Sequence, residues 1–267
     1  MTVRIRSAFI ETNHLIHGEC LQAMQALPDG SVDMVMADLP YGTTEAAWDT
    51  PIDMDLLWEA YRRVVKPDGA IVLTASQPFT SRLVLSNIDE FRYSWVWRKS
   101  KGTGFFHVKH RPLKQHEDVC VFYRKAPTYN PQKTVKEGAK IGSGGSKSTP
   151  IHGGIYTTTG RAVQMNQRKP EDGTRYPISV LDFPSEGKKV HETQKPVDLM
   201  RYFIRTYTNP GDVVLDNTMG SGTTGVAATL EGRKFIGIEQ ERPFFDKSVW
   251  RIADASNQVR EAFSLAP

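Results

Sequence analysis

The chain has 267 residues, a formal net charge of +4 and a pI near 9.0, long enough to bury a substantial core and mildly suited to a polyanionic partner. No apolar run approaches a membrane span, and the first residues lack the apolar core of a secretory signal, so membrane and exported classes are set aside. The two cysteines, Cys20 and Cys120, have no metal-ligand spacing and read as reduced core residues, which predicts a cytoplasmic protein without a metal site.

Leu15-Ile16-His17 reads as a short strand within residues 9–17, ending at Gly18-Glu19-Cys20. Leu21 to Leu27 has helical spacing, and Pro28-Asp29-Gly30-Ser31 is a turn. The apolar run Val32 to Ala37 predicts a buried parallel strand leading into Asp38-Leu39-Pro40-Tyr41. A polar loop, Gly42 to Pro51, holds Trp48-Asp49. The spacing of Leu56, Leu57, Ala60, Tyr61 and Val64 predicts an amphipathic helix over 53–65, stopped by Lys66-Pro67-Asp68-Gly69. Ala70 to Ala75 is the next strand and Gln77 to Ile88 the next helix. Tyr93 to Trp97 and Asp118 to Tyr123 are further strands, and residues 99–117 between them read as a long loop, either functional or mobile. This alternation predicts a doubly wound α/β fold with a mostly parallel sheet.

Periodicity fades from Arg124 to about residue 190. Glycines crowd there and basic residues, among them Lys147, Arg161, Arg168, Lys188 and Lys189, outnumber acidic ones. The expected organisation is therefore one α/β domain, residues 1–123 and 191–267, with residues 124–190 inserted. The insertion is either a solvated segment or a surface for nucleic-acid phosphates. Order returns with a helix over 197–208, a strand Val213 to Asp216, a Gly-rich turn, a helix from Thr223 to Leu230, a strand Phe235 to Glu239 and a closing helix over 244–263.

Two stretches carry the chemistry. Asp38 to Tyr41 stands at the carboxyl end of a strand, where open α/β sheets bind ligands. Pro40 biases Leu39 towards an extended backbone, so the Asp38 carboxylate and the Leu39 carbonyl form two adjacent acceptors beside the Tyr41 ring. That set suits a planar group bearing an NH2, such as a nucleobase. The second stretch, Gly220-Ser221-Gly222 after Asp216, is a turn that brings backbone close to a ligand. With Glu239 ending the next strand and matching a ribose diol, it fits an adenosine-containing cofactor. The spacing Gly220, Gly222, Gly225 also matches a dinucleotide turn, which leaves an oxidoreductase open at this point, whereas no Walker lysine follows.

Together these stretches resemble the amino-group DNA methyltransferases that use S-adenosylmethionine, over roughly residues 13–123 and 190–250. The matching residues are Asp38 to Tyr41, Leu215 to Thr224, Lys66 to Gly69, His191-Glu192-Thr193-Gln194-Lys195-Pro196 and Phe235 to Glu239. Their order, catalytic turn first and cofactor turn last, resembles the circularly permuted β group of that family and displaces the oxidoreductase. Two departures stand out. Leu39 replaces a proline but still supplies its carbonyl, and Asn217-Thr218 replaces a Pro-Phe pair, removing an apolar cofactor contact.

The resemblance implies a Rossmann-like methyltransferase domain and a site-specific enzyme acting on double-stranded DNA, as monomer or homodimer. The target base flips out, Tyr41 stacks on it, and Asp38 and the Leu39 carbonyl orient its amino group for in-line attack on the cofactor methyl, with Pro40 restraining the turn. Asp216, Asn217, Thr218, Gly220, Ser221, Gly222, Thr223 and Glu239 are the implied cofactor residues. Glu19 is expected towards the adenine, and Thr193, Lys195 and Pro196 towards the methionine end. Lys99, Lys101, Lys109, Arg111, Lys147, Arg161, Arg168, Lys188 and Lys189 are the implied phosphate contacts. Asp at the first catalytic position resembles adenine-N6 enzymes, with cytosine-N4 the first alternative. A DNA-binding module with a vestigial pocket is the alternative of a different class.

Overall fold

The computed structural model describes residues 6–10, 13–46, 49–135, 174–185 and 194–264. In chain order, β1 (Arg6–Ile10), β2 (Asn13–His17), α1 (Cys20–Gln25), β3 (Val32–Asp38), α2 (Met54–Val64) and β4 (Val65–Ala75) come first. α3 (Phe79–Ser86), β5 (Phe91–Thr103) and β6 (Lys114–Phe122) follow, then β7 (Thr134–Val135), β8 (Thr174–Arg175) and β9 (Val180–Asp182). The chain continues through α4 (Val197–Tyr207), β10 (Val213–Asp216), α5 (Thr223–Leu230), β11 (Lys234–Glu239) and α6 (Arg242–Ser264).

The chain divides into two compact units, Met1–Asn130 with Ser179–Pro267, and Pro131–Ile178. By this division the insertion boundaries move from 124 and 190 to 131 and 178. Residues 179–185 belong to the larger unit because β9 pairs in parallel with β5. In the smaller unit, β7 and β8 form an antiparallel pair, Thr134 opposite Arg175 and Val135 opposite Thr174.

Among the described residues the larger unit carries one sheet in the order β1-β2-β11-β10-β3-β4-β6-β5-β9. β2, β11, β10, β3 and β4 are mutually parallel, and β1 and β6 run against their neighbours. Strand alternation splits the core. Met34 and Met36 of β3 face one layer with Phe203, Ala227, Phe235 and Ile252, drawn from α4, α5, β11 and α6. Val35 and Ala37 face the other, with Met24, Leu57, Trp58, Tyr61 and Leu83 from α1, α2 and α3. Burying such aliphatic side chains contributes about 1.5–3 kcal/mol each.

This order positions the site. From β3 the chain winds to one side through β4, and from β10 to the other through β11, while β3 and β10 lie side by side in parallel. That is a topological switch point, and the carboxyl ends of β3 and β10 open onto one crevice.

Two sequence expectations change. Residues 99–117 are the outer part of a hairpin rather than a loop throughout: β5 runs on to Thr103 and β6 starts at Lys114, an antiparallel pair whose connection holds a short 3-10 turn at Phe105–His107. Their polar side chains hid the strand because the far half of the hairpin leaves the core. Lys66 to Gly69 does not separate α2 from its strand. β4 starts at Val65 and absorbs Pro67 at a register shift against β3, between the pairs Val32–Val65 and Met34–Ala70.

Candidate active site

A cavity of about 570 Å³ opens over the switch point, lined by Asp38 to Tyr41, Asp216 to Ser221 and Glu239. Asp38 ends β3, and its carboxylate is held from three sides. Oδ1 accepts the Tyr41 hydroxyl at 2.8 Å and the hydroxyl of Thr74 on neighbouring β4. Oδ2 accepts Lys195 Nζ at 2.6 Å. Two donors fill the lone-pair positions of Oδ1, whereas among the described residues only Lys195 donates to Oδ2, which leaves it one further position. Tyr41 stacks on Phe79 with centroids 4.9 Å apart and planes 20° from parallel, so one ring face is already taken. Burial, with the negative charges of Asp38 and Glu117, pushes the Tyr41 hydroxyl well above its ordinary range, so it stays a donor.

Lys195 is deeply buried, just before α4. Burial alone would lower its ammonium, but Asp38 and Glu117 raise it, so it remains charged. Its Nζ lies 3.3 Å from Glu117 Oε2 and 5.7 Å from the Tyr41 ring centroid. Glu117 on β6 also pairs with Lys99 of β5. Burial would raise the Glu117 carboxyl, but Lys195 and Lys99 hold it below the usual carboxylate range. Two carboxylates and two ammonium groups thus compensate each other along one cavity wall.

The loop after Tyr41 is organised by Asp49, which is buried and accepts the backbone N–H of Gly42, Thr43 and Thr44 at 2.9, 2.8 and 2.7 Å. Burial would raise this carboxyl, but the donors hold it below its ordinary value. Thr43 and Thr44 are thereby fixed as cavity lining.

At the end of β10, Gly222 has φ +79° and a Cβ there would meet Ser248 Cβ at 2.7 Å, so only glycine lets this turn pack on α6. Gly220 N donates to Glu239 Oε2 at 2.8 Å, and Glu239 Oε1 accepts Glu241 N at 2.7 Å. Asp216 is buried and accepts Thr218 N at 3.1 Å; burial pushes its carboxyl up to about 7. Burial likewise raises the Glu239 carboxyl. The substituted pair has polar work. Asn217 Oδ1 accepts the buried Tyr61 hydroxyl at 2.6 Å, and Thr218 Oγ1 donates to the Asp38 carbonyl at 3.1 Å, tying the two turns together. Asn217 Nδ2 is buried and makes no well-formed hydrogen bond among the described residues. A wall with an unsatisfied donor and buried acidic oxygens fits a ligand rich in hydroxyl, ring-nitrogen and cationic groups, such as an adenosine bearing a charged side chain.

The remaining predicted residues are placed as follows. Ser221, Thr223 and Glu19 line the cavity; Gly222 and Pro196 do not, the first packing behind the turn and the second opening α4. Glu19 caps α1, accepting Leu21 N and Gln22 N at 2.8 Å each. Lys99 is turned into the cavity and paired with Glu117, so it is not a surface cation awaiting phosphate. Lys101, Lys109 and Arg111 are exposed on the β5–β6 hairpin. Thr193, Lys147, Arg161, Arg168, Lys188 and Lys189 lie outside the described residues. Glu117, Thr74 and Phe79 were not singled out from sequence; their signal is only tertiary. Asp49 had a weak local signal as an acid in a loop. Among the described residues there is no His/Cys/Asp/Glu cluster able to hold a metal, and no helix is long and apolar enough to cross a membrane.

An α/β sheet with an acidic turn and a Gly-rich turn at one switch point is an arrangement suited to a nucleotide-containing ligand. Residues 32–249 match the family model for N6/N4 methyltransferases, described as DNA methylase, and the chain belongs to this family of DNA-methylating enzymes. Its relatives include the DNA adenine methyltransferase YhdJ of Escherichia coli K12, 29% identical over 94% of this chain and 86% of that protein. Type II methyltransferase M.HinfI of Haemophilus influenzae is 26% identical, covering 91% and 68%. Among solved structures, the M1.HpyAVI–SAM complex shares the fold with a TM-score of 0.61 at 24% identity, over 90% of this chain and 98% of that one. PvuII DNA methyltransferase (cytosine-N4-specific) shares it with a TM-score of 0.61 at 18% identity, over 92% of each chain.

Proposed function

We propose that this DNA methylase transfers the methyl group of S-adenosylmethionine to the exocyclic N6 of adenine in duplex DNA, with the target base turned out of the helix. The observation that carries this reading is the one open lone-pair position on Asp38 Oδ2, beside the Leu39 backbone and within the cavity that also holds the Gly220–Gly222 turn. The similarity to the DNA adenine methyltransferase YhdJ supports the choice of base.

In this mechanism Asp38 Oδ2 and the Leu39 carbonyl each accept one N–H of the target amino group. Fixing both hydrogens in one plane aims the nitrogen lone pair out of that plane. Thr74, Tyr41 and Lys195 prevent the carboxylate from rotating, so the orientation costs nothing further at the moment of reaction. Tyr41, backed by Phe79, supplies the ring against which the base lies. Asp216, Asn217, Gly220, Ser221 and Glu239 would hold the cofactor. When bound, it supplies an electrophilic methyl on a sulfonium. In this mechanism Asp38 Oδ2, a carboxylate oxygen already hydrogen-bonded to the target amino group, accepts the proton lost from the methylated nitrogen. The two buried free thiols fit a cytoplasmic setting.

The test is incorporation of labelled methyl from S-adenosylmethionine into duplex DNA, followed by nucleoside mass spectrometry. N6-methyladenine is the expected product. N4-methylcytosine would keep the site chemistry and overturn the base assignment. Cofactor binding and DNA binding without transfer would turn the reading to a DNA-binding module.

A further inference from the structure

The β5–β6 hairpin ends in an exposed apolar tip that the chemistry above does not use. Phe106 is 99% exposed and Phe105 75%, although aromatic side chains are normally buried. Both belong to the 3-10 turn Phe105–His107. The tip is anchored where the strands cross, because a Cβ at Gly102 would meet Leu113 Cβ at 2.8 Å. Around it stand the exposed cations Lys101, Lys109 and Arg111, none in an ion pair among the described residues.

The same hairpin forms a wall of the active-site cavity. Trp97, Lys99 and Thr103 of β5 and Glu117 of β6 line it, and Thr103 is the last residue of β5, with Gly104 between it and the turn. The turn that carries the two phenyl rings thus begins two residues beyond Thr103, a residue lining the cavity that would receive the flipped base. We propose that Phe106, with Phe105 beside it, is a wedge that enters the base stack of duplex DNA where the flipped base has left, while Lys101, Lys109 and Arg111 hold the flanking phosphates. The proposal rests on the DNA-methylating, base-flipping reading and assigns the part of the protein that stabilises the opened duplex.

Physical chemistry favours this occupant. A flat apolar ring in the vacated space restores the stacking that flipping removes, and apolar wedges between base steps are a recurrent device of proteins that deform DNA. The surrounding cations complement a polyanion. A symmetric contact with a second copy would set Lys101, Lys109 and Arg111 against their own counterparts, which like charge opposes.

The test uses the full chain with Phe106→Ala and Phe106→Trp, both at an exposed position. The substrate is a duplex carrying a site mapped from methylated genomic DNA. It is supplied with the target base paired, or placed opposite an abasic position so that flipping costs less. Single-turnover methyl transfer by Phe106→Ala is expected to fall at least about tenfold on the paired duplex, to recover within about threefold of wild type opposite the abasic position, and to be retained by Phe106→Trp. An unchanged rate on the paired duplex overturns the wedge. Equal loss on both duplexes overturns it too, making Phe106 an ordinary contact. Loss of self-association or of binding to anionic vesicles in Phe106→Ala, with transfer intact, assigns the tip to another partner. If the wild-type protein transfers no methyl to any DNA, the underlying reading fails and the wedge with it.

Discussion

Lys195 Nζ lies 2.6 Å from Asp38 Oδ2, joining residues 157 positions apart in the chain. The contact brings the segment before α4 onto the Asp38–Tyr41 turn and places a buried cation on the carboxylate oxygen that, among the described residues, retains an open acceptor position. Glu117, 3.3 Å away on β6, balances the same cation. Asp38, the proposed catalytic acid, is thus one member of a charge network that also takes in Lys195, Glu117 and Lys99.

Asp38→Asn keeps the size of the side chain but offers an N–H or a weaker acceptor where Lys195 and the target amino group each need an oxygen. Methyl transfer is expected to fall about 10²–10³-fold, the usual cost of losing one preorganised electrostatic contact. Cofactor affinity should be unchanged by calorimetry, because Asp38 touches the cofactor turn only through its backbone carbonyl. Wild-type single-turnover rates in the variant would remove Asp38 from the mechanism.

Lys195→Met leaves Asp38 and Glu117 facing each other with only Lys99 in compensation. Removing one partner of a buried pair costs about 3–5 kcal/mol, to be read from urea unfolding. The double variant Lys195→Met with Glu117→Gln should regain part of that loss, since it also removes an uncompensated carboxylate. Strict additivity in this double-mutant cycle would mean that the two groups do not interact.

Asp216 is raised from its ordinary 3.8 to about 7 because burial disfavours the carboxylate. Between those values the folded state binds more protons than the unfolded state, so this group's stabilising contribution is complete below pH 3.8 and is lost as pH rises through about 7. Relative to Asp216→Asn, the wild-type protein should lose roughly a few kcal/mol of stability across that window and none above it. The variant should be the more stable protein at neutral pH and bind cofactor more weakly. Parallel stability–pH curves for the two proteins would show that Asp216 is not the titrating group.

Asp49→Ala frees three backbone N–H groups of residues 42–44 from a buried carboxylate. The expected cost is about 2–3 kcal/mol in unfolding free energy. Methyl transfer should slow as well, because Thr43 and Thr44 no longer hold the cavity wall. Since the donors lower this carboxyl, its contribution is present above its ordinary value of 3.8 and lost as pH falls, so the acid limb of the stability curve should shrink in the variant. Unchanged protease sensitivity of the loop would argue that Asp49 does not order it.

Much of this molecule is written locally. The apolar run 32–37 and the acid after it, the Gly-rich turn after Asp216 and the stripe on α2 are all short-range patterns, and each forms the predicted element. The β5–β6 hairpin was hidden because its outer half is polar and Gly-containing, so alternation stops where the strands leave the core. The bulge in β4 was hidden because Pro67 and Gly69 read as a stop, whereas pairing with β3 accommodates them. Lys195 was expected towards the methionine end of the cofactor, and its burial between Asp38 and Glu117 is a tertiary feature that no local pattern shows.

By itself, the sequence determined which residues end strands, where backbone turns tightly, and hence the family and the two turns proposed to carry its chemistry. Only the tertiary structure decided what those residues touch. Thr74 and Tyr41 clamp Asp38, Lys195 and Glu117 share its charge, and Asn217 and Thr218 replace an apolar contact with hydrogen bonds to other elements. The reason is physical: backbone conformation follows from a few neighbouring side chains, whereas hydrogen-bond partners and charge compensation depend on which distant strands the topology sets side by side.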